Sequence, residues 1–166
     1  MLKRVTDPTN LLTELSVKSI LDMMCLWPSG VQLENLVSLD VLRCPKLVSL
    51  CGEEEKGLLK NLEYLKIEDC DNLEKLPNVF SKLRRLEITS CNALESLPID
   101  ISYLEAITIK KCTNLKHFGS SSTNAETGEE EKGLLKNLED LVIEDCDNLE
   151  KLPNVSSKLR RLYITR

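Results

Sequence analysis

The sequence contains few aromatic residues, one histidine and no long apolar segment. Aromatic residues make up 4% of the 166 residues, so any large core has to be aliphatic. The net charge of −5 argues against a general nucleic-acid binder, which would be basic. No segment approaches the ~18 apolar residues of a membrane span, and the first residues lack the apolar core of a secretory signal. We therefore expect no nucleic acid partner and no membrane insertion.

Motifs that carry catalysis are also missing from the sequence. None of the patterns H-E-x-x-H, G-x-S-x-G, G-x-G-x-x-G or G-x-x-x-x-G-K-[ST] occurs. His117 has Cys112 nearby in the sequence, but Cys112 belongs to a repeated, buried slot. The sequence therefore predicts a protein that is not an enzyme and has no catalytic residues, no cofactor and no metal site. Seven cysteines without an export signal favour a reducing, cytoplasmic location.

What the sequence does contain is a repeat, L-x-x-L-x-(I/V)-x-x-C-x-x-L-x-x-L, often closed by proline. A weaker unit uses Leu12, Leu15, Val17 and Ile20, and six clear units begin near residues 36, 62, 83, 104, 138 and 159. Leu-x-(Ile/Val) alternates with a period of two, which is typical of a short strand with one buried face. One unit cannot bury that face alone, but stacked units can.

The repeat predicts an α/β-type solenoid that resembles the leucine-rich-repeat horseshoe arc. This fold has a parallel concave β-sheet and mostly irregular or short helical convex returns. Residues 33–166 would form the solenoid, and residues 1–32 a weak N-terminal repeat or edge. Two acidic inserts, 51–60 and 118–136, lengthen single units and lack hydrophobic rhythm, so they are predicted to be surface loops.

Five of the cysteines occupy the same slot of the repeat: Cys44, Cys70, Cys91, Cys112 and Cys146. Metal-binding cysteines usually occur in close pairs, whereas these are 26, 21, 21 and 34 residues apart. We interpret them as a structural column of buried thiols rather than a metal or redox site.

One segment of the sequence is duplicated in nearly identical form. Residues 53–89 and 129–165 align without gaps and differ at only four of 37 positions. The four differences are Tyr64/Asp140, Lys66/Val142, Phe80/Ser156 and Glu87/Tyr163. Three of them fall where side chains of the predicted strands alternate with the buried ones and point outward. This placement favours a varied recognition surface over neutral drift.

The outward side chains of the predicted strands form our candidate partner-binding site on the concave sheet. Tyr64, Arg85, Arg161 and Tyr163 are the predicted anchors, because Tyr and Arg are enriched at interface hot spots. The candidate residues are Tyr64, Lys66, Glu68, Arg85, Glu87, Thr89, Thr108, Lys110, Asp140, Val142, Glu144, Arg161, Tyr163 and Thr165. Their mixed charges suggest a protein partner.

The segments LKNLEYLKIEDCDNLEKLP and SKLRRLEITSCNALESLPIDI resemble the leucine-rich-repeat region of plant nucleotide-binding disease-resistance receptors. The resemblance implies a module of plant innate immunity whose repeats bind a pathogen effector or a host protein. Without a phosphate loop, the chain is expected to be a fragment or a repeat-only relative of such a receptor. The alternative function is an intramolecular autoinhibitory or structural repeat segment that packs on other domains of a larger receptor and holds it inactive. An F-box-like substrate adaptor is the third alternative. No polar cap follows Leu159–Ile164, so self-association through open solenoid ends is also expected.

Overall fold

A computed structural model describes residues 11–27, 33–50, 59–77, 80–97, 103–118, 135–152, 155 and 157–166. Seven five-residue strands form one sheet in chain order: β1 Glu14–Lys18, β2 Ser38–Leu42, β3 Tyr64–Glu68, β4 Arg85–Thr89, β5 Ala106–Lys110, β6 Asp140–Glu144 and β7 Arg161–Thr165. All neighbouring strands pair in parallel. The predicted parallel sheet and solenoid are confirmed, and the described returns contain no helix.

The repeat positions explain why each strand forms where it does. On β2 to β6 the leucine and the following isoleucine or valine are buried, while the residues between them are partly exposed. The register places leucine or isoleucine beside leucine or isoleucine from turn to turn, as in Leu65 beside Leu86. Each strand contacts only its sequence neighbours, so the core is one continuous column built from adjacent turns.

Every turn leaves the sheet through the same backbone conformation. The residue after each of the first six strands has a positive φ of 52–56°, and none of these residues is glycine. They are Ser19, Arg43, Asp69, Ser90, Lys111 and Asp145. Each donates its backbone N–H to the carbonyl at the end of the next strand, as Arg43 does to Glu68 at 2.8 Å. The left-handed conformation thus turns the chain away from the sheet without losing a hydrogen bond.

Substitutions at the exposed residue Arg43 test whether the left-handed backbone conformation limits which side chains this position tolerates. We expect Arg43→Val to be less stable than Arg43→Gly by about 1–2 kcal/mol, because a β-branched residue is strained at positive φ and glycine is not. Urea unfolding of both variants measures the difference. At the preceding strand residue Leu42 the same two substitutions should rank in the opposite order, since valine suits a strand better than glycine.

The cysteine slot follows this turn. The five column thiols are all buried, and no disulfide joins them among the described residues. The carbonyl of each column cysteine accepts a hydrogen bond from the leucine three residues later, as Cys91 does from Leu94 at 3.3 Å. The thiol points back and donates to the carbonyl two residues before it, at 3.5 Å from Cys91 to Thr89. A small, weakly polar side chain therefore fills a position where the backbone closes tightly.

Several core residues lie outside the repeat positions. Leu59 and Leu135, which the sequence analysis included in the two inserts, are fully buried, while residues 51–58 and 119–134 of those inserts lie outside the described residues. Trp27 is 1% exposed and belongs to the same hydrophobic core. Phe80 is also 1% exposed, and its counterpart Ser156 lies outside the described residues. One of the four differences between the two copies therefore replaces a core residue.

Candidate functional site

The outward face of the sheet is the surface formed by the first, third and fifth residue of every strand. The parallel register arranges these residues in three rows that run across all seven strands. The first row is Glu14, Ser38, Tyr64, Arg85, Ala106, Asp140 and Arg161; the second is Ser16, Asp40, Lys66, Glu87, Thr108, Val142 and Tyr163; the third is Lys18, Leu42, Glu68, Thr89, Lys110, Glu144 and Thr165.

All fourteen candidate binding residues lie on this outward face. Those of β3 to β6 are partly exposed or exposed, so a partner could reach them. The face spans the whole described sheet, so residues far apart in sequence, such as Lys66 and Thr108, share one surface.

The three outward differences between the two copies lie on two neighbouring strands in each copy. In the first copy, Tyr64 is hydrogen-bonded to Glu87, and the register places Lys66 directly beside Glu87. In the second copy, the same positions are Asp140, Val142 and Tyr163, and Val142 lies beside Tyr163. A pair of opposite charges in one copy is thus an apolar pair in the other. We call these the first cluster (Tyr64, Lys66 and Glu87) and the second cluster (Asp140, Val142 and Tyr163).

The first cluster carries more charged groups and is the more enclosed of the two. Burial, followed by the nearby Glu87 and Asp40 carboxylates, raises the pKa of Tyr64 to about 12, so its phenol stays protonated and can donate. A hydrogen bond to Glu68, 3.0 Å away, raises the pKa of Lys66 and keeps it charged. The cluster therefore offers one aromatic ring held among charges of both signs.

Asp40 extends the first cluster to β2 and was not among the candidate binding residues. It lies beside Lys66 in the register, and its Oδ1 atom is buried without a hydrogen-bond partner among the described residues. The signal that could have found it is the repeat itself, because aligning the units places an acidic residue next to Lys66 in the second row. A donor supplied by a partner would satisfy this oxygen.

The second cluster is less charged and more exposed. Asp140 accepts a hydrogen bond from Arg161 at 3.1 Å, and Tyr163 is 51% exposed beside Val142. Between β5 and β6, Lys110 pairs with Glu144 at 2.8 Å, and the hydrogen bond to Glu144 raises the pKa of Lys110. The accessible aromatic and aliphatic surface of Tyr163 and Val142 therefore lies between two ion pairs, Arg161 with Asp140 and Lys110 with Glu144, whose charges are already paired.

Three thiols of the cysteine column have raised pKa values. Burial raises the pKa of Cys70 to about 11 and that of Cys91 to about 12, which suppresses the reactive thiolate. A hydrogen bond with Cys146, together with burial, also raises the pKa of Cys112. Among the described residues, no group of three or more histidine, cysteine or acidic side chains is arranged to hold a metal ion. None of the described segments is a helix long and apolar enough to cross a bilayer.

His117 lies in a return rather than on the outward face. Its backbone forms an isolated parallel bridge with Ser96, and its Nδ1 atom is 3.8 Å from a carboxylate oxygen of Glu150 in the next turn. Cys112 lies five residues earlier in the buried column. These positions fit a histidine that links neighbouring returns.

Comparisons with known protein families, with characterised proteins and with solved structures found no match for this chain. Its function therefore has to be inferred from its own surface.

Proposed function

We propose that this chain is a protein-recognition module of the leucine-rich-repeat type, and that the outward face of the sheet is the concave binding surface of a cytoplasmic plant immune receptor. The partner would be a pathogen effector or a host protein. The L-x-x-L-x-(I/V)-x-x-C repeat and its one-strand-per-turn sheet support the class, and the resemblance of the cysteine-type units supports the receptor setting.

One observation carries the proposal: the outward changes between the copies lie on two neighbouring strands, and two of them, Lys66/Val142 and Glu87/Tyr163, changed as a cross-strand pair. The L-x-x-L-x-(I/V)-x-x-C positions of both copies are identical, while the three linked outward residues changed between acid, base, aromatic and aliphatic. Exposed return residues such as Asn72 and Glu74 are the same in both copies. Selection for two different contact patches on one rigid sheet explains this distribution better than drift at exposed sites.

The two clusters would contact different features of a partner. The first cluster, with Asp40 beside it, presents acceptors and a ring, which suits a partner's Arg or Lys side chain. The second cluster presents Tyr163 and Val142, which suit an apolar side chain. Arg85 and Arg161, next to the clusters in the first row, would supply donors for polar contacts at the rim. The order of the clusters along the sheet would then set the orientation of the partner.

Exchanging the clusters tests this proposal without changing composition. The exchange variant carries Tyr64→Asp, Lys66→Val and Glu87→Tyr together with Asp140→Tyr, Val142→Lys and Tyr163→Glu. It keeps the core, the net charge and the pairs that the clusters form between β3 and β4 and between β6 and β7, and only the positions of the two clusters differ. We expect affinity capture from plant cell extract to retain a partner on the natural chain and to lose it, by at least about tenfold, on the exchange variant.

The matched control is the return-side exchange Glu74→Lys with Lys75→Glu, which also conserves composition and charge. It should capture the partner as the natural chain does. A captured protein identified by mass spectrometry is then purified, and its affinity for the three chains is measured directly. Equal affinity for all three, with equal thermal stability, would show that the outward clusters are not the binding surface.

A further inference from the structure

Arg85 and Arg161 occupy the same position in the two copies, but only Arg161 has an acidic neighbour to pair with. The Nη2 atom of Arg161 donates a hydrogen bond to Oδ2 of Asp140, 3.1 Å away on the preceding strand. Beside Arg85 the register places Tyr64, which is uncharged because its pKa is raised to about 12. The difference Tyr64/Asp140 therefore decides whether this arginine is paired within the chain.

The other carboxylates around Arg85 are bound to different side chains. Glu87, the next outward residue of the same strand, accepts a hydrogen bond from the hydroxyl of the tyrosine on β3. Glu63 and Glu105, which directly precede β3 and β5, lie 4.0 Å and 3.0 Å from Arg84. Among the described residues, no carboxylate lies within ion-pair distance of Arg85. Its positive charge is therefore available to a group outside the chain.

The surroundings of Arg85 also leave space for such a group. Arg85 is an exposed residue of the middle strand β4, and the register places Ala106 beside it on β5. Ala106 has the smallest side chain in the first row, so the surface is lowest next to the guanidinium. Arginine presents a planar set of N–H donors whose spacing matches the two oxygens of a carboxylate.

We propose that Arg85 binds a carboxylate of the protein partner, from an Asp or Glu side chain seated over Ala106. This inference rests on the proposed recognition function and adds the charge of one contact group. A carboxylate that approaches Arg85 displaces no internal partner, whereas one that approaches Arg161 has to compete with Asp140. The partner would then carry this acidic side chain next to the basic one that the first cluster accommodates.

The side-chain resonances of the two arginines test the inference in the purified chain. An isotope-labelled chain is titrated with acetylated hexaglutamate at low ionic strength, where exposed charges are screened least. We expect the Nε–H resonance of Arg85 to respond at about threefold lower peptide concentration than that of Arg161, the factor typical of one exposed ion pair. Hexaglutamine, the uncharged control, should shift neither resonance.

Two single substitutions should change the response in opposite directions. Tyr64→Asp gives Arg85 the acidic neighbour that Arg161 has, and should weaken the response of Arg85 about threefold. Asp140→Asn removes the charge beside Arg161 while keeping the shape of the side chain, and should strengthen the response of Arg161 by a similar factor. Equal thermal unfolding of the variants and the natural chain checks that the sheet is intact.

Several results would overturn the inference. These are equal responses of Arg85 and Arg161 in the natural chain, or a response of Arg161 that Asp140→Asn leaves unchanged. Tighter binding of inorganic phosphate than of hexaglutamate at Arg85 would assign the site to a phosphate group instead. If Arg85 fails these tests while the cluster exchange still loses the partner, the recognition function stands and the carboxylate assignment is wrong. A selective response at Arg85 with no effect of the exchange would support the carboxylate site and contradict the cluster proposal.

Discussion

Leu86→Ala is expected to lower the free energy of unfolding by about 3 kcal/mol. Leu86 lies in the middle strand β4, is fully buried, and contacts the aliphatic side chains of β3 and β5 through the register. Removing its isobutyl group loses the transfer free energy of those atoms and leaves a cavity that rigid neighbouring turns cannot fill. Urea unfolding followed by circular dichroism measures the change.

The duplication supplies a matched control for this substitution. Leu162 occupies the position of Leu86 in the second copy, with the same preceding residues, but it is 53% exposed on β7. We expect Leu162→Ala to cost less than about 1 kcal/mol, since most of the removed surface already contacts water. Equal losses at the two sites would mean that Leu162 is packed as tightly as Leu86, which would contradict its exposure.

The second large effect is a loss of stability in alkali that originates in the cysteine column. The folded chain raises the pKa of Cys91 to about 12 and that of Cys70 to about 11, because both thiols are buried, from an ordinary value of 9.0. Above pH 9 the unfolded chain loses these protons while the folded chain keeps them. The stabilisation is therefore complete below pH 9 and declines as the pH rises towards the folded-state pKa values.

We expect these two thiols together to lower the free energy of unfolding by about 2–3 kcal/mol between pH 8 and pH 10, in about equal shares. Urea unfolding under reducing conditions at several pH values gives the slope. In the double variant Cys70→Ala and Cys91→Ala, the share of the slope that these two thiols supply should disappear, whatever the stability of the variant at neutral pH. An unchanged slope would assign the alkaline loss to other groups. Tyr64, whose pKa is also raised to about 12, adds its own loss only above pH 10.

The strands were predictable from the sequence because the repeat shows both which side chains are buried and how neighbouring strands align. The period-two alternation marks the buried face, and the constant spacing of the leucines brings each strand into register with the next. This reasoning extends to the weak unit around Leu15, where β1 joins the same sheet. Aligning the units is therefore sufficient to derive the three rows of the outward face.

The core of the returns was harder to predict. Phe80, Leu59 and Trp27 are buried, yet they lie in segments where the repeat has no constant length. A single apolar residue in an irregular segment gives no periodic signal, so its burial depends on where the segment crosses the core. The positive φ after each strand could not be predicted from the sequence either, because the residues that adopt it are serine, arginine, aspartate and lysine rather than glycine.

The contact clusters needed both the alignment of the copies and the strand register. The sequence alone identified the changed positions Lys66 and Glu87 as outward. That they are direct neighbours across two strands follows only from the parallel register, which pairs them. The hydrogen bond of Tyr64 to Glu87 depends on side-chain placement, which a repeat pattern does not contain.

The register has a final consequence for how a molecule of this kind can change its length. The offset of 76 residues between the copies corresponds to three whole turns, since β3 and β4 return as β6 and β7. The copied β6 stacks on β5 with the same register as β3 on β2. Inserting or deleting whole turns therefore leaves every remaining neighbour relation intact. A gene that gains or loses such a block can lengthen or shorten its surface in one inherited step, and point changes on the new strands can then diversify it.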